Sequence, residues 1–205
     1  MTVDRIESLD KRRSKVFIDG DFAFVLYNGE IFRYRLAEGC QLEENIYEEL
    51  LWQVVGRRAR EKAFSLLKLQ GRTESELRRK LRQAYFPEPV VEETLRFLRE
   101  YRYLDDEAYA RNYVEVHGAR KSRAELERDL KKKGLDHSLI REVCQAQEGR
   151  TDSRDAIAAL MKKRGCTEGS PLKERRKTIA YLMRRGFSWE EIRAASAALA
   201  ELEEA

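Results

Sequence analysis

The chain is poor in the residues that interrupt helices or build metal sites. Three prolines occur in 205 residues, which favours helix. Its three cysteines, Cys40, Cys144 and Cys166, are odd in number and isolated, with no Cys-x-x-Cys pair. The two histidines, His117 and His137, lie outside any helical metal-ligand spacing. A zinc site needs four ligands at recognisable spacing, so none is expected; Cys144 reads as core and the other two as surface thiols. No apolar run approaches the roughly 20 residues of a membrane span, and no N-terminal run resembles a signal peptide. A cytoplasmic protein with no membrane partner is expected. There is no Gly-x-Gly-x-x-Gly, no Walker-type loop, no Gly-x-Ser-x-Gly and no His-Glu-x-x-His. The Asp105-Asp106 pair is of a kind that can hold magnesium, but just before a helix it reads as a cap. Nothing catalytic and no cofactor is predicted.

Charge is what the chain has instead. Charged residues make up 38% and apolar ones 42%, with a net charge of +4. That is too apolar for a disordered chain and too charged for a compact enzyme core. Long helices with much exposed surface fit both numbers.

The N-terminal stretch 1–41 carries a β signal. Val16-Phe-Ile18, Asp19-Gly20 and Asp21-Phe-Ala-Phe-Val-Leu26 form a hairpin pattern, because Asp-Gly supports a tight turn with positive φ. A two-residue turn puts Ile18 opposite Asp21 and Val16 opposite Ala23. One face then carries Val16, Ile18, Ala23 and Val25; the other carries Lys15, Phe17, Phe22 and Phe24. Val3, Ile6 and Leu9 suit a weak strand. Ile31–Leu36 suits either a third strand or a short helix capped by Asn28. Leu42, Ile46, Leu50 and Val54, spaced by four, predict a helix over Leu42–Ala63, whose 42–56 portion links the N-terminal stretch to the helices beyond it.

From Arg57 onward one helical unit is written three times. Leu81, Leu130 and Leu182 fall in register, as do Phe86, Leu135 and Phe187, and Val91, Ile140 and Ile192; the step is 49 residues, then 52. Such a period predicts a stacked helical array in which each unit lacks a full core of its own. The predicted units are 57–106, 107–152 and 153–205, each of three helices. Thr73 with Glu76, Ser122 with Glu125 and Ser188 with Glu191 are capping boxes. The fold class is mainly α: three three-helix repeats in tandem, preceded by a small antiparallel hairpin or sheet and a linking helix.

Basic residues recur along the second helix of each unit. They are Arg78, Arg79, Lys80 and Arg82; then Arg128, Lys131, Lys132 and Lys133; then Arg175, Arg176, Lys177, Arg184 and Arg185. Acidic residues gather nearer the ends. Three basic clusters at equivalent positions point to an anionic partner, either nucleic acid or an acidic protein groove. A base-reading helix offers Asn, Gln or Arg at base-reading spacing, whereas these second helices are almost pure Lys/Arg with Glu, which suits phosphate contact rather than base readout.

Tyr103-Leu104-Asp105-Asp106-x-x-Tyr109-Ala110, then Glu125-Leu126-x3-Leu130-x2-Lys133-Gly134-Leu135-x4-Ile140, then Arg185-Gly186-Phe187-x4-Ile192 resemble the RecX family of RecA modulators over about residues 57–200. The hairpin resembles the N-terminal part of longer members. Arg102 and Tyr85 depart from the pattern, standing where Gly would ease a left-handed helix end. The resemblance implies a curved array of three-helix units that lies in the groove of the RecA nucleoprotein filament and inhibits its growth, ATP hydrolysis and strand exchange, in DNA repair and recombination; a monomer is expected. It also implies helix rather than strand over 29–36. Single- and double-stranded DNA, bound without sequence preference, are further expected partners. The alternative is a stand-alone, non-specific nucleic-acid-binding helical module.

Overall fold

A computed structural model describes residues 1–147, 153–167 and 169–203. The chain divides into two compact units at Asp105/Asp106.

The first unit opens with three antiparallel strands in the order β1 (Val3–Ser8), β2 (Arg13–Ile18) and β3 (Asp21–Tyr27). Asp19 (φ +48°) and Gly20 (φ +89°) make the tight turn that the Asp-Gly pair predicts. The pairing differs from the simple hairpin register. Ile18 faces Asp21 and Phe17 faces Phe22, but Val16 faces Phe24, because the ladder slips at Ala23. That extra residue turns Phe24 and Leu26 to the buried face beside Val16 and Ile18. The third strand is β1, on the far side of β2. Its outer edge is closed by residues 39–42: Val3 donates to Cys40 O at 3.0 Å, and Leu42 to Met1 O at 2.8 Å. The segment left open between strand and helix is helical, α1 (Asn28–Arg33). Its cap is Tyr27 rather than Asn28, with the Tyr27 amide donating to the Glu30 carboxylate at 2.8 Å.

The linking helix starts at α2 (Glu44–Glu48), widens into a π-helical segment over Glu49–Gly56, and continues as α3 (Arg57–Leu69). The wide turn has a reason in the sequence. Leu50, Leu51, Val55, Ala59 and Ala63 are buried, and the step from Leu50 to Val55 is five residues. A π turn keeps a five-residue step on one face, whereas the four-residue series to Val54 leaves that residue only partly buried. Leu50, Leu51, Val55 and Ala59 pack under the sheet, and α5 (Glu88–Glu100) adds Val90 to the same cluster. Pro89 sits in the first turn of α5, where its missing N–H removes no helical bond. With α4 (Glu74–Gln83), these helices enclose Leu77, Leu81, Val91, Leu95, Leu98 and Leu104.

The second unit holds α6 (Asp106–Gly118), α7 (Arg123–Lys132) and α8 (His137–Gln147), then α9 (Ser153–Lys163), α10 (Leu172–Arg184) and α11 (Trp189–Glu203). The three capping boxes form: Glu76, Glu125 and Glu191 amides each donate to their cap hydroxyl at 3.2 Å. Leu81, Leu130 and Leu182 are fully buried at equivalent sites. Contrary to the expectation of shared cores, α6–α8 bury Ala110, Val114, Leu126, Leu130, Ile140 and Val143 as one cluster, and α9–α11 bury Ile157, Leu182, Phe187, Ile192 and Ala195 as another. Each triplet is therefore long enough to close an apolar centre. Cys166 is buried in the second of these clusters and is not the surface thiol expected.

Candidate functional site

The basic residues on the second helices divide by what they face. Arg79, Lys80, Arg128, Lys131, Lys132, Arg176 and Arg184 are exposed or half-exposed. Lys177 is exposed but pairs with Glu174 at 3.0 Å. Lys133, the C-cap of α7, lies over the rings of Tyr109 and Tyr113 at 5.3 and 5.8 Å. Arg175 is partly buried. Arg78, also partly buried, is held by Glu74 at 2.8 Å and by Glu92, with Glu88 at 3.6 Å. Arg82 pairs with both oxygens of Glu88, its Nε at 2.8 Å. That hydrogen bond holds the Glu88 carboxyl below the usual carboxylate range and raises the Arg82 guanidinium further.

The steps of 49 and 52 residues allow the seam between second and third helix to be compared position by position. Glu74, Arg78, Arg79, Arg82, Glu88 and Glu92 of the first repeat correspond to Arg123, Glu127, Arg128, Lys131, His137 and Arg141 of the second. In the third they correspond to Arg175, Ile179, Ala180, Met183, Trp189 and Arg193. The first seam is closed by its own ion pairs. In the second, the three carboxylate positions carry Arg123, His137 and Arg141, and the seam opens into a cavity of about 590 Å³. Its apolar lining is Ala124, Leu135 and Ile140, and its one carboxylate, Glu127, is taken by Arg123 at 2.8 Å. Among the described residues Arg128 and Lys131 have no carboxylate partner, and Arg141 meets only His137 Nδ1, at 3.4 Å. At the third seam Met183 and Trp189 are exposed apolar groups. Sequence reasoning followed cations along the second helix from Arg128 and so missed Arg123 at its start and His137 and Arg141 on the next helix. Lining up the carboxylate positions of the second and third helices would have shown them replaced by bases.

A second cavity, of about 610 Å³ in the first unit, is lined by Trp52, Arg60, Arg96 and Arg99 together with Glu92 and Glu93, so its charges largely cancel. Beside it Phe64, Phe97, Tyr101 and Tyr103 form a chain of ring contacts, Phe64–Tyr103 at 5.0 Å and Phe97–Tyr101 at 4.6 Å, with both tyrosines exposed.

Arg185 has a different duty from its neighbours on α10. Its Nε and Nη2 meet the two oxygens of Glu125 at 2.7 and 2.8 Å. The Ser122 hydroxyl donates to the Arg185 carbonyl at 2.5 Å. The two residues that cap α7 thus also receive the C-terminus of α10. Gly186 follows with φ +96°, and a Cβ there would stand 2.7 Å from that of Ala124.

Comparison with known proteins comes from both sequence and structure. Family models described as the first, second and third three-helix domains of RecX match residues 59–98, 105–143 and 153–195, together more than half of the chain. The chain is similar to the regulatory protein RecX of Clostridium acetobutylicum, 27% identical over 198 residues that cover 93% of this chain and 92% of that one. It is also similar to that of Caldanaerobacter subterraneus subsp. tengcongensis, 28% identical over 194 residues, covering 94% and 96%. A crystal structure of a regulatory protein RecX superposes with a TM-score of 0.59 at 25% identity, covering 94% of this chain and 98% of that one. The structure from Lactobacillus salivarius shares the fold, with a TM-score of 0.59 at 22% identity over 71% of this chain and 96% of that one.

Proposed function

The chain belongs to the RecX family, and from that premise we propose that it is a monomeric regulator that binds the RecA–DNA filament and inhibits its growth, ATP hydrolysis and strand exchange. The observation that carries this is the threefold repetition itself: three RecX-type triplets, each with exposed cations on its second helix. In this proposal the working divisions are a sheet region, 1–41; a linking helix, 42–56; and repeats 57–106, 107–152 and 153–205. A filament is a polyanion coated by a repeating protein. A chain with repeated contact surfaces gains on it because later contacts form at high effective concentration. Its relatives are named regulatory proteins, which supports a regulatory role.

The test is binding of the full chain to RecA with and without ATP and single-stranded DNA, alongside DNA-dependent ATP hydrolysis. Affinity should be much higher for assembled filament than for free RecA, and hydrolysis should fall as the protein is added. Equal affinity for both, or unchanged hydrolysis, would sink the proposal. The cations without carboxylate partners between α7 and α8 favour a second reading, non-specific DNA binding without RecA.

A further inference from the structure

We propose that the groove between α7 and α8 is a contact site for the sugar–phosphate backbone of DNA. It extends the filament role proposed above by giving one repeat a direct hold on the nucleic acid. The internal repeat supplies the control. The same seam in the first repeat carries Arg78 and Arg82, yet Glu74, Glu88 and Glu92 pair with both within the protein. In the second repeat those carboxylates are replaced by Arg123, His137 and Arg141. Arg128 and Lys131 lie three apart on α7 and so share a face, while Arg141 is on α8. Both helices therefore bring cations to the cavity, whose lining also includes Ala124, Leu135 and Ile140.

Crowding like charges along one seam destabilises the free protein, so an occupant that neutralises them is favoured. Guanidinium groups match phosphate oxygens in fork geometry. Cations on two helices suit a continuous strand threaded between them, where successive phosphates are reached from either helix. A lone acidic side chain needs one helix. No asparagine or glutamine, the residues that pair with adenine, lines the groove, and its cations match the phosphates that every sequence shares. At about 590 Å³ it falls within the roughly 300–1,000 Å³ of ligand-sized sites, large enough for more than one small ion.

The test uses the full chain without RecA. Binding of fluorescently labelled oligo-deoxythymidylate is followed by anisotropy between about 50 and 200 mM salt. Arg128→Ala with Arg141→Ala should weaken binding several-fold and lower the salt slope by about 1.4, the value for two lost phosphate contacts on a single strand. Arg79→Ala with Lys80→Ala removes two cations from the first repeat and should change neither much. His137→Glu with Arg141→Glu rebuilds the first repeat's carboxylates and should abolish the groove's share of binding without lowering the melting temperature. The proposal is overturned if the groove pair leaves affinity and slope at wild-type values, or if the first-repeat pair lowers them equally. Loss of binding to labelled poly-glutamate with DNA binding intact would also overturn it and assign the groove to an acidic protein. A wild-type chain that shows this DNA signature but leaves RecA hydrolysis unchanged would sink the filament role alone.

Discussion

Gly186 occupies a position with no room for a side chain, at a φ that L residues rarely adopt. Gly186→Ala adds steric contact to backbone strain, and should destabilise the second unit by about 1–3 kcal/mol, read as a lower urea midpoint. Tyr85 (φ +64°) and Arg102 (φ +57°) hold the same left-handed geometry without glycine. The loops keep their form at both departures from the family pattern, at a cost in strain. Tyr85 recovers some of it, since its ring carries the Lys15 ammonium at 4.9 Å. Arg102 is exposed, so Arg102→Gly should raise stability by up to about 1 kcal/mol in thermal unfolding. His117 is a third telling residue. Burial, followed by the positive charge of Lys121, lowers its pKa below the usual 6.5. The unfolded chain therefore takes up its proton first as pH falls. This contribution to stability is present above about pH 6.5 and is lost as the pH drops through the lower folded value. Urea midpoints should fall from about pH 7.5 to about pH 5.5, and His117→Gln should flatten that dependence.

At the scale of elements, each triplet stands on a few buried leucines and one capping pair. Leu130→Ala should cost about 2–5 kcal/mol, measured by chemical unfolding. A smaller loss would show that the site is not enclosed. Ser122→Ala removes both the α7 cap and the hydroxyl donated to Arg185 O, and should exceed the roughly 1 kcal/mol of an ordinary cap. These elements were legible because each rests on local chemistry: capping boxes, a turn dipeptide, leucines at helical spacing. What was not legible depends on tertiary packing. The slip at Ala23 is decided by which aromatic faces α2–α3, not by the turn. The π segment reflects a five-residue step that a four-residue template hides, although Leu50 and Val55 spell it out. The helix over Asn28–Arg33 had no decisive period, and Asn28 serves the sheet instead, accepting from Ser14 at 3.1 Å. The basic clusters were visible, but their carboxylate partners were not: Glu88 and Glu92 lie on the next helix, Glu74 one turn earlier on the same helix, and Glu125 back on α7. Arg78, Arg82 and Arg185 therefore read as free when they are bound.

At the scale of the whole molecule, inhibition should depend on the number of repeats. Deleting 153–205 should leave the preceding triplet folded, since its buried cluster draws only on residues 110–144, while potency against DNA-dependent ATP hydrolysis falls sharply. Full potency of the shortened chain would contradict this. Charge reversal at Arg176 and Arg184 should weaken inhibition without unfolding, because both are exposed on α10. Arg78 is unsuited to that test, since reversing it sets a carboxylate among Glu74, Glu88 and Glu92. The meeting of Arg185 with Glu125 and Ser122 has a consequence for the cost of association. A flexible tether between second and third repeats would leave each to find its footing separately, losing orientational freedom on every encounter. A two-pronged guanidinium clamp, a hydroxyl on a main-chain carbonyl and a glycine flush against Ala124 settle that freedom during folding. The two repeats then meet a target as a single preorganised ruler with its graduation already cut. Loosening the clamp with Glu125→Gln or Arg185→Lys should appear mainly as faster dissociation, not slower arrival, in surface-binding kinetics.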